Sequence, residues 1–389
     1  MTSIRLPGAK GTSLAFTLRR PAEWSPPGPG TTFNRVAYAA AHVVADPFAE
    51  GDPWLDCAID WDATLAYRSY LWSLGLGVAE AMDTAQRGMG LDWKHSLELI
   101  DRSLELAHAT PGALIACGAG TDHLEVSASL RVEDVIAGYE MQCEAIESRG
   151  GRIVLMASRA LAAIARSPED YARVYAHLLR QLSAPAIIHW LGDMFDPALA
   201  GYWGHADLDR ATDVCVEILA ANAARIDGIK VSLLDKGREI ALRRRLPSGM
   251  RMYTGDDFNF AELIAGDERG YSDALLGIFD PIAPAAAAAL GALARGDRGE
   301  FERVLAPTVP LSRHVFRAPT RFYKTGVVFL AWLNGHQEHF VMIGGQQSAR
   351  SLMHLVTLFE LADAAGLLRD PELACRRMRS LLAVHGFSG

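Results

Sequence analysis

A lysine interrupts an apolar segment of this 389-residue chain. Lys230 lies within residues 226–234, which otherwise resemble a buried strand. Apolar surroundings disfavour the ammonium form and lower the pKa of a lysine, which leaves neutral amine able to attack a carbonyl and form a Schiff base. On spacing alone, a lysine at the rim paired with Asp227 or Asp256 is an equal alternative. The chain has only five lysines, and the other four stand in polar or aromatic contexts: Lys10, Lys94, Lys236 and Lys324.

Two further positions offer acid–base chemistry. His189 is the last residue but one of the apolar run 186–190, and a histidine transfers protons near neutral pH. The alternative is a histidine that only fills space in the core. Asp83 and Thr84 follow the run 75–81 and are candidates to bind substrate. Asp83 could accept hydrogen bonds from substrate hydroxyls or act as a base, unless it merely caps a helix.

The remaining candidates also follow apolar runs. Ser158 and Arg159 are placed to hold an anionic part of a substrate, because arginine binds carboxylates and phosphates through paired donors. The other predicted substrate-binding residues are Asp122 and His123, which follow a Gly-Ala-Gly-Thr turn, Trp190, and Asp256. For Asp256 and its neighbour Asp257, a structural role as a helix cap is the alternative.

The elements that must position these residues are short apolar runs, each followed by an amphipathic stretch. The eight strand candidates are 36–45, 75–81, 113–117, 152–157, 186–190, 226–231, 250–254 and 272–278. Apolar strands between helices are typical of a parallel sheet buried on both faces, and eight such units predict an α/β (β/α)8 TIM barrel. Its catalytic residues lie at the C-terminal ends of strands, where these candidates fall. An open doubly wound sheet is the alternative, although no GxGxxG follows the first strand.

Three regions are predicted. Residues 1–34 form an N-terminal arm, because Pro21 and the segment 26–30 interrupt regular structure. Residues 35–282 form the barrel, and 283–389 form a C-terminal helical subdomain. Its helix candidates are 284–294, 300–305, 325–333, 348–365 and 370–384. The segment 193–205, which carries Tyr202, Trp203 and His205, is expected to roof the pocket.

Composition narrows the functional class. The formal net charge is −8 and no run of Lys or Arg forms a basic stripe, so a nucleic-acid partner is not expected. The longest apolar run, 281–293, is too short to cross a membrane, and the N-terminus carries no apolar stretch typical of a signal peptide. Five scattered cysteines without CxxC indicate reduced thiols and a cytoplasmic protein. No cofactor motif occurs, so no cofactor is predicted.

Three motifs together resemble those of the dihydrodipicolinate synthase and N-acetylneuraminate lyase family. They are Ile-Asp-Gly-Ile-Lys at 226–230, Leu-Arg-Arg-Arg-Leu-Pro at 242–247 and Tyr-Thr-Gly-Asp-Asp at 253–257. Weaker matches are 59–62, 278–284, 294–297 and 322–326. The resemblance covers about residues 43–365. It implies a class I aldolase, a lyase that works through a lysine Schiff base, with Lys230 as that lysine and a homo-oligomer, dimer or tetramer, as the assembly.

Departures from the family pattern bear on the substrate. The resemblance places His189 where the family has a proton-relaying tyrosine, and Asp83 in a turn that binds the carboxylate of a 2-oxo acid in the family. Like charges about 4 Å apart repel by about 1 kcal/mol in water and about 4 kcal/mol at an effective dielectric near 20. The substrate therefore stays open between a small hydroxylated carbonyl compound and a 2-oxo acid, and the reaction between aldol cleavage and dehydration.

Two other functional classes are considered. One is a metal-dependent TIM-barrel isomerase or hydrolase, although the candidate ligands match no compact metal motif: Asp83, Asp122, His123, His189 and Asp256. The other is a non-catalytic descendant that binds a small molecule. Lys230 argues against the latter, because burying a lysine is costly unless the lysine is used.

Overall fold

The N-terminal segment forms a two-stranded antiparallel ribbon. A computed structural model describes residues 2–8, 12–24 and 32–387. Strands β1 (Ser3–Pro7) and β2 (Ser13–Thr17) pair with each other, and Ile4 and Leu6 of β1 are buried. The sequence predicts an irregular arm here because its prolines and glycines outweigh the period-two alternation of β1. The predicted breakers at 26–30 lie outside the described residues.

Eight parallel strands close into a barrel, which confirms the predicted TIM-barrel fold. They are β3 (Ala37–Ala40), β4 (Gly77–Glu80), β5 (Ile115–Ala119), β6 (Ile153–Leu155), β7 (Ala186–Leu191), β8 (Ile226–Ser232), β9 (Arg251–Thr254) and β10 (Asp273–Leu276). Each strand pairs with the next along the chain, and β10 pairs with β3. Each lies within or overlaps one of the predicted apolar runs.

The barrel interior combines small and large side chains. Ala40, Ala79 and Ala116 line it on three neighbouring strands, while the Tyr38 and Tyr253 rings meet with centroids 6.1 Å apart. Alternation along a strand puts every second residue on the inner face. His189 is two residues beyond the core residue Ile187 on β7, and Lys230 is the register partner of Tyr253 on β9. The barrel geometry therefore directs both side chains inward.

Helices follow the strands in chain order. They are α1 (Trp61–Ser73), α2 (Trp93–Ala109), α3 (Val132–Glu147), α4 (Arg159–Ile164), α5 (Pro168–Gln181), α6 (Leu208–Ala221), α7 (Lys236–Arg243), α8 (Phe260–Ala265), α9 (Ala283–Ala294), α10 (Arg298–Leu305), α11 (Thr308–Val315), α12 (Tyr323–Leu333), α13 (Leu352–Ala364) and α14 (Pro371–Val384). The sequence does not predict α11, because Pro310 suggests a break. A proline in the first turn is tolerated, since its missing N–H has no partner within the helix there.

Internal contacts divide the chain into two compact units. The barrel unit comprises Arg35–Ala41 and Leu76–Gly277, so it holds all eight barrel strands and α2 to α8 around them. The second unit comprises Met1–Asn34, His42–Gly75 and Ile278–Gly389. The boundaries predicted at 34/35 and 282/283 stay predictions. None of the described helices combines the length and apolar content that a membrane crossing requires.

Candidate active site

A cavity of about 190 Å³ lies at the C-terminal ends of β4 to β7, within the barrel unit. This is the end of a TIM barrel at which catalytic residues are found. Its charged and titratable lining residues are Asp83, Arg87, Asp122, Arg159, His189 and Asp196. The sequence predicts four of the six. Arg87 and Asp196 are missed, although Arg87 stands only three residues beyond Thr84 in the same loop.

Lys230 lies beside the cavity-lining His189. The two are register partners on neighbouring strands, β8 and β7, and Lys230 is only 7% exposed. Its ammonium makes no hydrogen bond or ion pair with the part of the chain that is described. Burial lowers the pKa of Lys230 below its usual value, and the carboxylates of Asp83 and Asp257 partly oppose this. A larger fraction of this lysine is therefore neutral amine near pH 7 than is usual.

Gly255 provides the space that Lys230 occupies. A Cβ atom on this residue would lie 2.9 Å from Lys230 Cε, 2.2 Å from Ser232 Oγ and 2.8 Å from the carbonyl oxygen of Val231. The backbone that follows β9 thus packs directly against the Lys230 side chain. The Gly-Asp-Asp motif of the sequence contributes this close approach as well as its carboxylates.

Replacing Gly255 with alanine is expected to displace Lys230. The added methyl group overpacks the barrel interior, which costs about 1–3 kcal/mol of unfolding free energy. We expect at least about a tenfold loss in the rate at which a carbonyl compound labels Lys230, measured by mass spectrometry. Gly299→Ala is the matched control, because its nearest atom would be Asp297 Oδ1 at 3.7 Å. Equal labelling rates for both variants would contradict the expectation.

His189 is held as a neutral imidazole. Its Nε2 lies 3.3 Å from Ser232 Oγ, and its Nδ1 is buried without a hydrogen-bond partner in the described chain. Burial lowers the pKa of His189 well below its ordinary value, and the neighbouring charge of Lys230 lowers it further. At neutral pH the side chain can therefore accept a proton or exchange hydrogen bonds, but it does not carry an imidazolium proton to donate.

Asp83 lines the cavity, and its carboxylate has no hydrogen-bond or ion-pair partner in the described chain. It is the first residue of a 3-10 turn, Asp83–Ala85, whose N-cap Met82 makes no side-chain capping bond. The following helix α2 is capped by Asp92 instead. No hydrogen bond or ion pair joins the Asp83 carboxylate to another described residue, so it does not act as a helix cap here. Thr84 is buried and does not line the cavity.

Arg87 lines the cavity and hydrogen-bonds to several residues around it. Its guanidinium donates to both carboxylate oxygens of Asp122, at 3.2 Å from Nε and 2.7 Å from Nη2. Nη1 donates to the carbonyl oxygens of Ala81 and Gly118, and Nη2 also donates to Gln142 Oε1. These bonds occupy all five N–H donors of an arginine. Arg87 therefore ties the end of β4 to the end of β5.

Asp122 and His123 are committed to the same network. Burial disfavours the charged form of Asp122, but the charge of Arg87 and its hydrogen bonds prevail and lower the pKa of this carboxyl. His123 Nδ1 lies 2.8 Å from Gln142 Nε2, and burial lowers its pKa. Asp122 lines the cavity and His123 does not.

Ser158 and Arg159 begin helix α4 at the cavity edge. Ser158 Oγ accepts from the backbone N–H of Leu161 at 2.9 Å and lies 2.6 Å from Thr121 Oγ1, so it acts as a helix cap. The Arg159 guanidinium pairs with Asp196, which comes from the segment 193–205. Arg159 lines the cavity, whereas Ser158 lies behind it.

Trp190 points away from the cavity. Alternation along β7 puts His189 and Trp190 on opposite faces, and the Trp190 ring meets Trp203 edge to face at 6.0 Å. Trp203 and Tyr202 of the segment 193–205 are buried against helix α5, where Trp203 packs on Tyr175 at 4.9 Å. This segment therefore contributes Asp196 and Leu199 to the cavity lining, while its aromatic side chains lie outside the cavity.

Asp256 lies two residues after the end of β9, stabilises the turn that follows, and does not line the cavity. Its carboxylate accepts from the backbone N–H groups of Phe258 and Asn259 and from Asn259 Nδ2. Of the five residues considered as metal ligands, Asp83, Asp122 and His189 line the cavity, whereas His123 and Asp256 do not. Among the described residues, no group of three or more His, Cys, Asp or Glu side chains is arranged to hold a metal ion.

Glu239 is a buried acid that interacts electrostatically with Asp256, and sequence analysis does not single it out. It accepts hydrogen bonds from Thr254 Oγ1 at 2.9 Å and Ser272 Oγ at 2.7 Å. Burial raises its pKa from 4.5 to about 8. The folded protein therefore holds a proton that the unfolded chain releases above pH 4.5.

Stability should fall as the pH rises from about 4.5 to about 8, since the folded state binds more protons in this window. The slope from Glu239 approaches about 1.4 kcal/mol per pH unit at its steepest. Glu239→Gln is expected to flatten it, measured by denaturant unfolding at a series of pH values. The exposed Glu217→Gln is the control and should keep the wild-type slope. An unchanged slope in Glu239→Gln would refute this assignment.

Comparison with known proteins agrees with this architecture. A family model described as "Protein of unknown function (DUF993)" matches residues 4–387. The chain belongs to this family. No curated protein matches the chain at a significant level.

Solved structures of dihydrodipicolinate synthases share its fold. The enzyme from Thermotoga maritima is 14% identical with a TM-score of 0.64, covering 87% of this chain and 100% of its own. The enzyme from Acinetobacter baumannii, in complex with pyruvate, is 15% identical with a TM-score of 0.63, covering 86% and 99%. The enzyme from Aquifex aeolicus is 11% identical with a TM-score of 0.63, also covering 86% and 99%. At these identities the likeness concerns the fold.

Proposed function

We propose that this protein is a Schiff-base-forming lyase, an aldolase or dehydratase that acts on a small hydroxylated carbonyl or 2-oxo acid compound. The observation that carries the proposal is Lys230, which is buried among inward-facing barrel residues next to the cavity-lining His189 and has no ion-pair partner in the described chain. A lysine that only stabilised the fold would be expected to pair with a carboxylate or to reach solvent. The fold likeness to dihydrodipicolinate synthases supports the same class.

The first half of the reaction uses the neutral amine. Lys230 Nζ adds to the carbonyl carbon, so that a C–N bond forms and the carbonyl π-electrons move to oxygen. One proton from the amine and one from solvent convert that oxygen to water, which leaves as the nitrogen lone pair forms a protonated C=N bond. The lowered pKa of Lys230 favours the first step, because only the neutral amine is a nucleophile.

The second half uses the iminium as an electron sink. In aldol cleavage, a base removes the proton of the β-hydroxyl and the Cα–Cβ bond breaks, sending its electron pair into the iminium as an enamine. In dehydration, the base removes the α-proton instead and the β-hydroxyl leaves as water after protonation. Protonation at carbon in the first case, and hydrolysis by water in both, restores Lys230. His189, a neutral imidazole one strand away, is proposed as the base.

Borohydride trapping tests this function on the wild-type protein. The protein is incubated with a panel of small aldehydes, ketones and 2-oxo acids and then reduced, which converts an iminium into a stable secondary amine. Peptide mass spectrometry is expected to show the mass increase on Lys230. Exposed Lys236, six residues away and paired with Glu262 Oε2 at 2.5 Å, is the internal reference for non-specific labelling. Labelling of Lys230 no faster than of Lys236 across the whole panel would refute the proposal.

A further inference from the structure

Arg87 follows the turn Asp83–Ala85 closely in sequence, but none of its N–H donors is available to a substrate. The five N–H groups of Arg87 are directed to the Asp122 carboxylate, two backbone carbonyls and the Gln142 side chain. Binding a substrate carboxylate would require breaking at least one of these buried bonds. Arg87 is therefore part of the wall and does not provide an anion site.

The other cation in the cavity lining, Arg159, is paired with a carboxylate. Its Nε donates to Asp196, which comes from the segment 193–205. The lining holds three carboxylates, Asp83, Asp122 and Asp196, against these two guanidiniums. Asp83 is the only one of these three carboxylates without a hydrogen-bond or ion-pair partner in the described chain. The charged groups that raise the pKa of Lys230 against the effect of burial are Asp83 and Asp257, and both are negative.

We infer that the carbon next to the reacting carbonyl bears a hydroxyl group and is not a carboxylate carbon, so that the substrate is an uncharged hydroxy-aldehyde or hydroxy-ketone and Asp83 accepts the hydrogen bond of its hydroxyl. This inference rests on the proposed function and narrows its substrate class. A 2-oxo acid would bring a carboxylate next to the iminium carbon, where Asp83 and Asp257 repel it. A hydroxyl donates to Asp83 instead, in a charge-assisted hydrogen bond.

The carboxylates of Asp83 and Asp257 also suit the iminium intermediate. Forming the iminium fixes a positive charge on Lys230 Nζ, and the carboxylates of Asp83 and Asp257 stabilise that charge. A substrate carboxylate would compete for this role, whereas a neutral substrate leaves it to the protein. The cavity of about 190 Å³ has room for a compound of this size.

A matched pair of ketones tests the inference. Hydroxyacetone and pyruvate share a methyl ketone and differ only in carrying CH2OH or a carboxylate next to the carbonyl. With the wild-type protein and borohydride, we expect hydroxyacetone to label Lys230 at least about 10-fold faster than pyruvate at equal concentration. Pyruvate labelling at an equal or greater rate would overturn the inference and leave the proposed function standing. Labelling by neither compound, nor by the wider panel, would defeat the proposed function and the inference with it.

Substitution of Asp83 tests whether this residue sets the preference for hydroxyacetone over pyruvate. Asp83→Asn is expected to reduce the preference for hydroxyacetone to about 3-fold or less, because it removes the charge and keeps the size. Asp193→Asn is the control, since Asp193 is exposed in the loop that follows β7 and does not line the cavity. It should keep the wild-type ratio. An unchanged ratio in Asp83→Asn, with an unaltered circular dichroism spectrum, would show that Asp83 does not set the selectivity.

Discussion

Lys230→Met is expected to abolish adduct formation and to lower lyase activity by at least about 10³-fold. Methionine matches the unbranched stem of lysine as far as Cε but has no amine, and removal of a covalent catalyst typically costs three or more orders of magnitude. The measurement combines borohydride trapping with turnover of whichever panel compound labels the wild-type protein. Lys236→Met is the matched control, because Lys236 is a surface residue at the start of α7. It should retain both trapping and activity.

The same substitution should not destabilise the protein. Burial lowers the pKa of Lys230 in the folded state, so the unfolded chain binds this proton more tightly and stability is lost as the pH falls through the unfolded value near 10.5. Methionine removes that cost without leaving a cavity. We expect the midpoint of denaturant unfolding at pH 7 to stay unchanged or rise. Loss of activity together with a large fall in stability would instead indicate a structural lysine.

Arg87→Met is expected to have the largest effect on stability. It leaves Asp122 as a mostly buried carboxylate without its cation and removes the donors to Ala81, Gly118 and Gln142. Removing one partner of a buried ion pair costs about 3–5 kcal/mol, because the other charge stays buried. Denaturant unfolding at pH 7 is the measurement. The pairing stabilises above the ordinary Asp pKa of 3.8 and is lost as the pH falls, so the difference from wild type should shrink in acid.

Two further variants test whether the loss of stability in Arg87→Met comes from the buried ion pair. Arg102→Met removes an exposed guanidinium that pairs with Glu98 at 2.8 Å on the surface of α2, and such pairs contribute about 0.5 kcal/mol or less. Arg87→Met combined with Asp122→Asn should recover part of the lost stability, because no uncompensated charge remains. A double variant less stable than Arg87→Met alone would argue that the pair is not coupled through charge.

The strands were predictable because burial on both faces leaves a strong mark on the sequence. Each barrel strand coincides with an apolar run, and Lys230 is conspicuous because it interrupts one. The positions that follow these runs fall at one end of the barrel by topology alone, which is why Asp83, Asp122 and Arg159 were found. The regular alternation of strand and helix thus carries most of the information.

The partners of each side chain could not be predicted. Nothing in sequence spacing shows that Arg87 reaches the end of β5, since this contact depends on barrel closure and on the length of one loop. Trp190 stands next to His189, and only the inner and outer faces of β7 distinguish their surroundings. Asp256 and Asp257 are neighbours, yet the first hydrogen-bonds within a turn while the second acts electrostatically on Lys230. Such differences arise from packing between distant segments.

The edge-to-face pair of Trp190 and Trp203 gives the barrel an intrinsic optical reporter. Their rings are 6.0 Å apart at 88°, in an environment that excludes water. Two indoles this close couple their electronic transitions, which gives a near-ultraviolet circular dichroism signal sensitive to small rotations of either ring. Trp190 is the register partner of Val231, the residue after Lys230. We therefore expect occupancy of Lys230 by a carbonyl compound to change this signal in the unmodified protein, at equilibrium and without a chemical trap.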